Sequence, residues 1–544
     1  MKDGFRRSMA WLHTWTGLVA GWLLFYVFVT GTASYFIDEI TRWMQPERPL
    51  VQAPVYDDSV PAVAAMLERA FDRLEQVAPG GERWFVSLPH DDLAPRGRQG
   101  LSIAWETMPQ AGEEHGDTGR ERLDAATGAV LPKVETRQTA GGHGLSALHY
   151  DLHHRLPHDW GLLVTGAAAM LMLLAIVSGV ITHKKIFTDF FTFRPGKGQR
   201  GWLDAHNAVS VMALPFFLMI TYSGLVFSLY TYMPAARTAL YDSSHAYVAE
   251  LFLQDTGEAV AVSRPATALA PLLAQAEAEW GRAPVAYVYV TRFAGGPLEI
   301  KLVQKRSRHL VRFWVPPSLR FDAQSGERLA GEADSSSALD TERVLLNLHF
   351  GLFAGWWGRW LFFVSGLLGC AMIATGLVLW TIKRRKRHLG SGQEHAESFG
   401  LRLVEVLNVT TIAGLPIAVA AYFWANRLLP VGMADRGDWE LHTLFAVWLA
   451  TLCYALARPL PRAWIELSWG ACAAFALVPV LNALTTDKHL GSSLPHALGG
   501  GDWALAGFDL TMWGLAAVFA LIARKIQRKL APAPSTMALK EQSA

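Results

Sequence analysis

The chain of 544 residues holds only three cysteines, Cys370, Cys453 and Cys472, and each lies inside an apolar run. That excludes a disulfide framework, a cysteine-based metal site and a covalent cofactor-attachment motif. Charge is scarce as well: Asp, Glu, Lys and Arg make up 18% of the residues, against 51% hydrophobic and 11% aromatic, with 21 Trp. No phosphate-binding P-loop and no His-Glu-X-X-His occurs. The Gly499-Gly500-Gly501 run stands in a loop, without the strand–turn–helix setting of a dinucleotide site. Nothing in the sequence points to nucleic-acid binding.

What the chain has is length of apolar sequence. A spanning helix needs ~20 mostly apolar residues. Eight stretches are candidates: 11–36, 160–182, 206–230, 360–382, 402–425, 440–457, 463–485 and 503–523. Lys and Arg flank alternate ends of these runs: Lys2, Arg6 and Arg7; Lys184, Lys185, Arg194, Lys197 and Arg200; then Lys383 to Arg387. Arg458 and Arg462 continue the series, and Arg524, Lys525, Arg528 and Lys529 close it. The positive-inside rule places them all in the cytoplasm. Both termini are therefore expected inside, with an even number of spans. Arg6-Arg7 looks like the start of a secretory signal, but the apolar run is too long and Thr32-Ala33-Ser34 is a poor cleavage site. The expectation is a polytopic α-helical membrane protein with about eight transmembrane helices.

Read in order, residues 1–36 form the first helix and 37–159 an external segment. Within that segment, helical spacing over Pro61–Val77 is followed by alternating runs at Trp84–Leu88 and Leu101–Trp105. That order reads as a small α+β domain. Residues 160–230 hold the second and third helices around a basic loop. A second external α+β segment, 231–348, has helical spacing at Ala266–Trp280 and strand patterns at Val285–Val290, Leu298–Val303 and Leu310–Val315. A fourth helix with a basic end follows at 349–388, then a linker at 389–401. About four more helices fill 402–530, read as a separate module, and 531–544 is a cytoplasmic tail.

The two halves agree in detail. His13 to Gly31 and His206 to Gly224 are each 18 residues apart, as are Gly161 to Gly179 and Gly358 to Gly376. Asp-Ala-X-(Thr/Ser)-Gly-X-X-Leu and Leu-His-(Tyr/Phe)-X-Leu occur once in each half. Shared spacing at so many landmarks signals an internal duplication, a four-helix core whose repeats run parallel about an axis near the membrane normal.

The repeat singles out four histidines. His13 and His206 lie at the cytoplasmic starts of helices one and three; His149 and His349 lie just outside helices two and four. A two-fold axis brings each pair to a central point, one near each face. Neutral imidazole is a good axial ligand for haem iron, and two facing ligands in a helix bundle give an electron-transferring centre. A lone histidine at the end of a span is often only an interfacial residue, but four at repeated positions favour ligation. His153 is the alternate to His149, since counting back from Gly161 lands beside it. His183 has no counterpart, Trp380 taking its place, and stands as an extra candidate. Asp204 and Asn207 flank His206, as an orienting pair or, for Asp204, as a helix cap.

His13-X-Trp-Thr-Gly, Leu148-His149-Tyr150, Thr182-His183-Lys-Lys, Asp204-Ala-His206-Asn207 and Leu348-His349-Phe350-Gly resemble the PepSY-associated transmembrane helix family. The resemblance covers about residues 5–388 and implies that both external segments are periplasmic PepSY-like domains. It also implies haem b, in two copies, and a reductase passing electrons outward to a ferric siderophore or other ferric chelate, with release of Fe(II). The donor stays open, a quinol or a cytoplasmic reductant; the remaining partner is membrane lipid. Basic residues Lys301, Lys305, Arg306, Arg308 and Arg312 are candidates to attract an anionic chelate. Two other classes remain: PepSY modules anchored as inhibitors of a secreted protease, and a transporter of iron or siderophore.

Overall fold

Apolar helices of 22 to 34 residues dominate the computed structural model. It describes residues 3–530 except 51–55, 94–95, 111–115, 154, 184–197, 253–256, 282–284, 331–335, 390–398 and 501. His154, Lys184, Lys185, Arg194, Lys197, most of the 389–401 linker and the 531–544 tail therefore lie outside the described residues. Seven helices in the described residues are long and apolar enough to cross a membrane, and a bent pair makes eight. The chain is a polytopic helical membrane protein. Its spans are Asp3–Ser34, His158–Thr182, the bent pair Gln199–Met212 and Leu214–Phe227, Trp356–Leu389, Phe399–Leu428, Arg436–Ala457, Leu460–Thr485 and Ala504–Leu530.

Two of these spans depart from a regular helix. The third bends by 65°. Pro215 explains it: proline has no N–H to give to the carbonyl of Val211, and its ring crowds the preceding turn. The fifth span widens into a π-helical turn at Thr410–Gly414, just before Pro416. A Cβ at Gly414 would stand 2.3 Å from Thr451 Oγ1, so only glycine lets the sixth span come this close.

The chain divides into two compact units. The first comprises residues 1–50, 136–225 and 359–544. It contains all eight spans, so 402–530 is not a separate module. Leu18, Phe28, Phe217 and Leu377 of the first four spans share one buried cluster with Tyr422 and Phe508 of the last four. Asn408 ties them further: its Oδ1 accepts from Trp22 Nε1 at 2.9 Å, and its Nδ2 donates to the Leu377 carbonyl at 3.3 Å. Two helices outside the spans, Ile37–Met44 and Gly141–Asp151, also belong to this unit.

The second unit takes residues 51–135, narrower than the external segment expected at 37–159, and 226–358, wider than the one expected at 231–348. Its strands are β1 Arg83–Ser87, β2 His90–Leu93, β3 Arg96–Gln99, β4 Ser102–Glu106, β5 Thr118–Arg122, β6 Val285–Arg292, β7 Leu298–Gln304 and β8 Ser318–Asp322. β2 and β3 form a hairpin of their own, and the rest make one antiparallel sheet of order β5-β4-β1-β6-β7-β8. The two external segments thus share a single sheet rather than folding as two separate domains. At the seam Val86 faces Val288 and Trp84 faces Val290, all buried beneath the helices Val60–Val77 and Leu269–Trp280.

Each segment closes with the same turn. Asp124 Oδ1 accepts the N–H groups of Ala126 and Thr127, and Asp322 Oδ1 accepts those of Gln324 and Ser325. The chain then leaves through a left-handed glycine, Gly128 or Gly326, at φ +74° in both. The expected strand at Leu310–Val315 is a run of turns and bends instead; the third strand of that segment is β8, beyond Pro316-Pro317.

Candidate functional site

His13 sits three turns into the first span, and its Nδ1 lies 2.7 Å from the Ala175 carbonyl of the second. Four residues past Ala175 is Gly179, where a Cβ would stand 3.0 Å from both Nδ1 and Cε1 of the ring. His206 repeats this on the fourth span: Nδ1 is 2.9 Å from the Met372 carbonyl, and a Cβ at Gly376 would stand 3.1 Å from Cε1. Thr375 Oγ1, 3.2 Å from the same Nδ1, adds a second contact. His149 follows the same pattern against the first span. Its Nδ1 is 2.8 Å from the Val27 carbonyl, and a Cβ at Gly31 would be 2.6 Å from Nδ1 and Cε1.

One device therefore recurs three times. The imidazole lies across a helix over a missing Cβ, bonded to the carbonyl one turn before that glycine. A carbonyl can only accept, so the proton sits on Nδ1 and the lone pair on Nε2. That is the tautomer a metal-binding imidazole needs, and such a carbonyl partner raises the ligand's basicity and fixes its orientation. Burial holds the His149 imidazole below the usual histidine range, against the opposing pull of the Val27 carbonyl, which keeps the ring neutral.

His13 and His206 face one another with ring centroids 6.2 Å apart and planes inclined by 61°. Two imidazoles coordinating one metal from opposite sides, each nitrogen about 2 Å from it, have centroids about 6 Å apart. Two rings at that separation would suit a haem iron, with His13 and His206 as the residues that would hold it. Among the described residues no group of three or more His, Cys, Asp or Glu is arranged to hold a bare metal ion. A haem asks the protein for only two.

The other sequence candidates fall out differently. His153 packs on Phe445 with ring centroids 4.6 Å apart and planes inclined by 45°, and its Nδ1 accepts from the Arg155 N–H at 3.1 Å, where the Nδ1 of His149 faces a carbonyl. His183 ends the second span, its N–H bonded to the Gly179 carbonyl at 3.2 Å, and lies near enough to His206 to interact electrostatically. His349 belongs to the second unit, in the last turn of the helix Ser337–Phe350, which ends on left-handed Gly351. Asp204 is buried well inside a helix that begins at Gln199, so it is not the cap. Of the basic cluster, Arg306 lies over the Tyr287 ring at 5.5 Å and Arg308 packs on Gly355.

A buried polar network in the first unit is a feature that the sequence patterns did not foretell. Arg436 and Glu440 are both 0% exposed and pair at 2.6 Å. Asp509 Oδ1 accepts from Trp43 Nε1 at 2.9 Å, and Arg427 lies over the Trp43 ring at 3.7 Å. Charged residues inside the apolar runs 402–425, 440–457 and 503–523, or at their ends, were the available signal.

A family model described as PepSY-associated TM region matches residues 10–383. An uncharacterized protein of Pseudomonas aeruginosa, PA4219, is 25% identical over 354 residues, covering 61% of this chain and 84% of that relative.

Proposed function

The chain belongs to the PepSY-associated TM region family, and from that membership we propose that it is an inner-membrane haem b oxidoreductase. It carries electrons across the membrane to a ferric siderophore on the periplasmic side and releases Fe(II), with both chain termini in the cytoplasm. The observation that carries this reading is the His13–His206 pair, 6.2 Å between ring centroids, each ring held by a backbone carbonyl through Nδ1.

The second centre is built on His149. Gly31, which seats His149, lies 18 residues beyond His13 on one helix. That is ~27 Å at about 1.5 Å per residue, so one span reaches from one centre toward the other face. Haem b held at each position supplies one-electron chemistry. The chain's own residues keep the proton at Nδ1, present Nε2, leave room for the rings at glycine and exclude water with apolar spans. One electron from a quinol or cytoplasmic reductant converts Fe(III) to Fe(II), whose hold on the hard oxygens of a siderophore is weaker. The second unit is read as two PepSY-like modules, each giving a helix, three strands of the shared sheet and an Asp turn, joined along β1 and β6.

Reconstitution tests this. Liposomes loaded with dithionite, with a ferric siderophore and an Fe(II)-specific chromophore outside, should colour in the presence of the chain. His13→Ala and His149→Ala should each suppress the colour. Colour no faster than in protein-free liposomes would overturn the proposal.

A further inference from the structure

The helix Gly141–Asp151, which carries His149, is held at its start by spans five and six and at its far end by Tyr26 of span one, backed by span six. At its start, Glu440 of span six accepts from Thr139 Oγ1 at 2.6 Å and from the Ala140 N–H at 3.0 Å. The same carboxylate accepts from Asn426 Nδ2 at 2.7 Å and Arg436 Nη1 at 2.6 Å. Tyr422 of span five donates its hydroxyl to the Gly141 carbonyl at 2.6 Å. A carboxylate here also meets the positive end of the helix dipole.

The far end is held by span one, with span six behind it. The helix stops at Leu152, a non-glycine residue at φ +63°, whose carbonyl accepts from Tyr26 OH at 2.7 Å. Tyr26 in turn lies flat on Trp448, with centroids 5.4 Å apart and planes 3° from parallel. Trp448 Nε1 donates to the Thr410 carbonyl, in the π-helical turn of span five, at 3.2 Å.

The tolerance at His149 is small. Between Ala140 and His149 the helix makes about two and a half turns, so a tilt at its start swings the imidazole against Gly31. All four donors on Glu440 converge on a carboxylate that is 0% exposed. Charge-assisted bonds of this kind are short and geometrically demanding, and a buried donor left without its acceptor is costly.

We propose that spans five and six are a clasp that positions His149, with Glu440 and Tyr422 as its positioning residues at the helix start. This rests on His149 being a haem ligand. Spans five and six lie beyond the family match at residues 10–383, and the clasp gives them a structural role. Spans five and six hold the His149 centre in register through the helix that carries it.

The test uses the full chain, purified with its haem, as wild type, Glu440→Gln, Tyr422→Phe and, as reference, His149→Ala. Glu440→Gln turns an amide N–H toward donors; Tyr422→Phe removes one hydroxyl and keeps the packing. Electron paramagnetic resonance and redox titration are read for each centre, the reference variant assigning which is which. Both substitutions should displace the g values and midpoint potential of the His149 centre, or empty it, and leave the His13–His206 centre unchanged. Wild-type values at both centres in both variants would overturn the clasp. So would equal disturbance of both centres, which marks general structural damage. A wild-type protein without haem instead defeats the functional reading on which the clasp rests.

Discussion

Gly31 lies directly against the ring of His149: a Cβ on residue 31 would stand 2.6 Å from Nδ1 and Cε1. Corresponding seats at Gly179 and Gly376 leave 3.0 Å and 3.1 Å to His13 and His206. Three of the glycines that punctuate the spans are therefore parts of histidine sites.

A graded outcome follows for alanine at these positions. Gly31→Ala should displace His149 and lose its centre, while Gly179→Ala and Gly376→Ala should disturb the His13–His206 centre more mildly. Overpacking of this kind costs about 1–3 kcal/mol. Gly17→Ala, where nothing lies within 4 Å, should be neutral or gain up to ~1 kcal/mol from helix propensity. Haem spectra and melting temperatures in detergent report both effects.

Histidine substitutions should sort by centre. His13→Ala and His206→Ala are each expected to deplete one and the same haem, and His149→Ala the other. Counting haem per chain after each change reads this directly. Loss of a haem in His183→Ala but not in His13→Ala would reassign the pair around His206.

His153→Ala should leave haem content unaltered. Its ring packs on Phe445 and its Nδ1 is occupied by the Arg155 N–H. A small loss of melting temperature, without change in the reduced spectrum, is the expected result.

Buried and exposed charges should differ sharply in worth. Asp509→Ala leaves Trp43 Nε1, Asn482 Nδ2 and the neighbouring Arg427 without their buried carboxylate. Breaking such a buried set costs about 3–5 kcal/mol. Glu106→Ala removes a partner from Arg83, whose side chain is 51% exposed, and surface pairs contribute about 1 kcal/mol or less. Thermal unfolding of the two variants compares them.

The spans were legible because their signals are local: length, apolarity and flanking charge; the repeat spacing likewise pointed to His13, His149 and His206, which sit in matching carbonyl–glycine seats. His149 and His153 could not be separated that way, since only the carbonyl of Val27 and the gap at Gly31 tell them apart. The shared sheet was equally hidden. Val86 and Val288 are 202 residues apart, and strand pairing at that distance leaves no pattern in either segment. The buried network was half visible: Arg436 and Glu440 stand at the i, i+4 spacing of a helical ion pair. What the sequence could not say is that their partners are Thr139 and Asn426.

The most direct measurement is the absorption spectrum of the purified full chain before and after dithionite, with haem counted per chain. A reduced haem b spectrum with two haems per chain, one lost in both His13→Ala and His206→Ala, is the expected result. A colourless protein, when expressed with haem in supply, would contradict it.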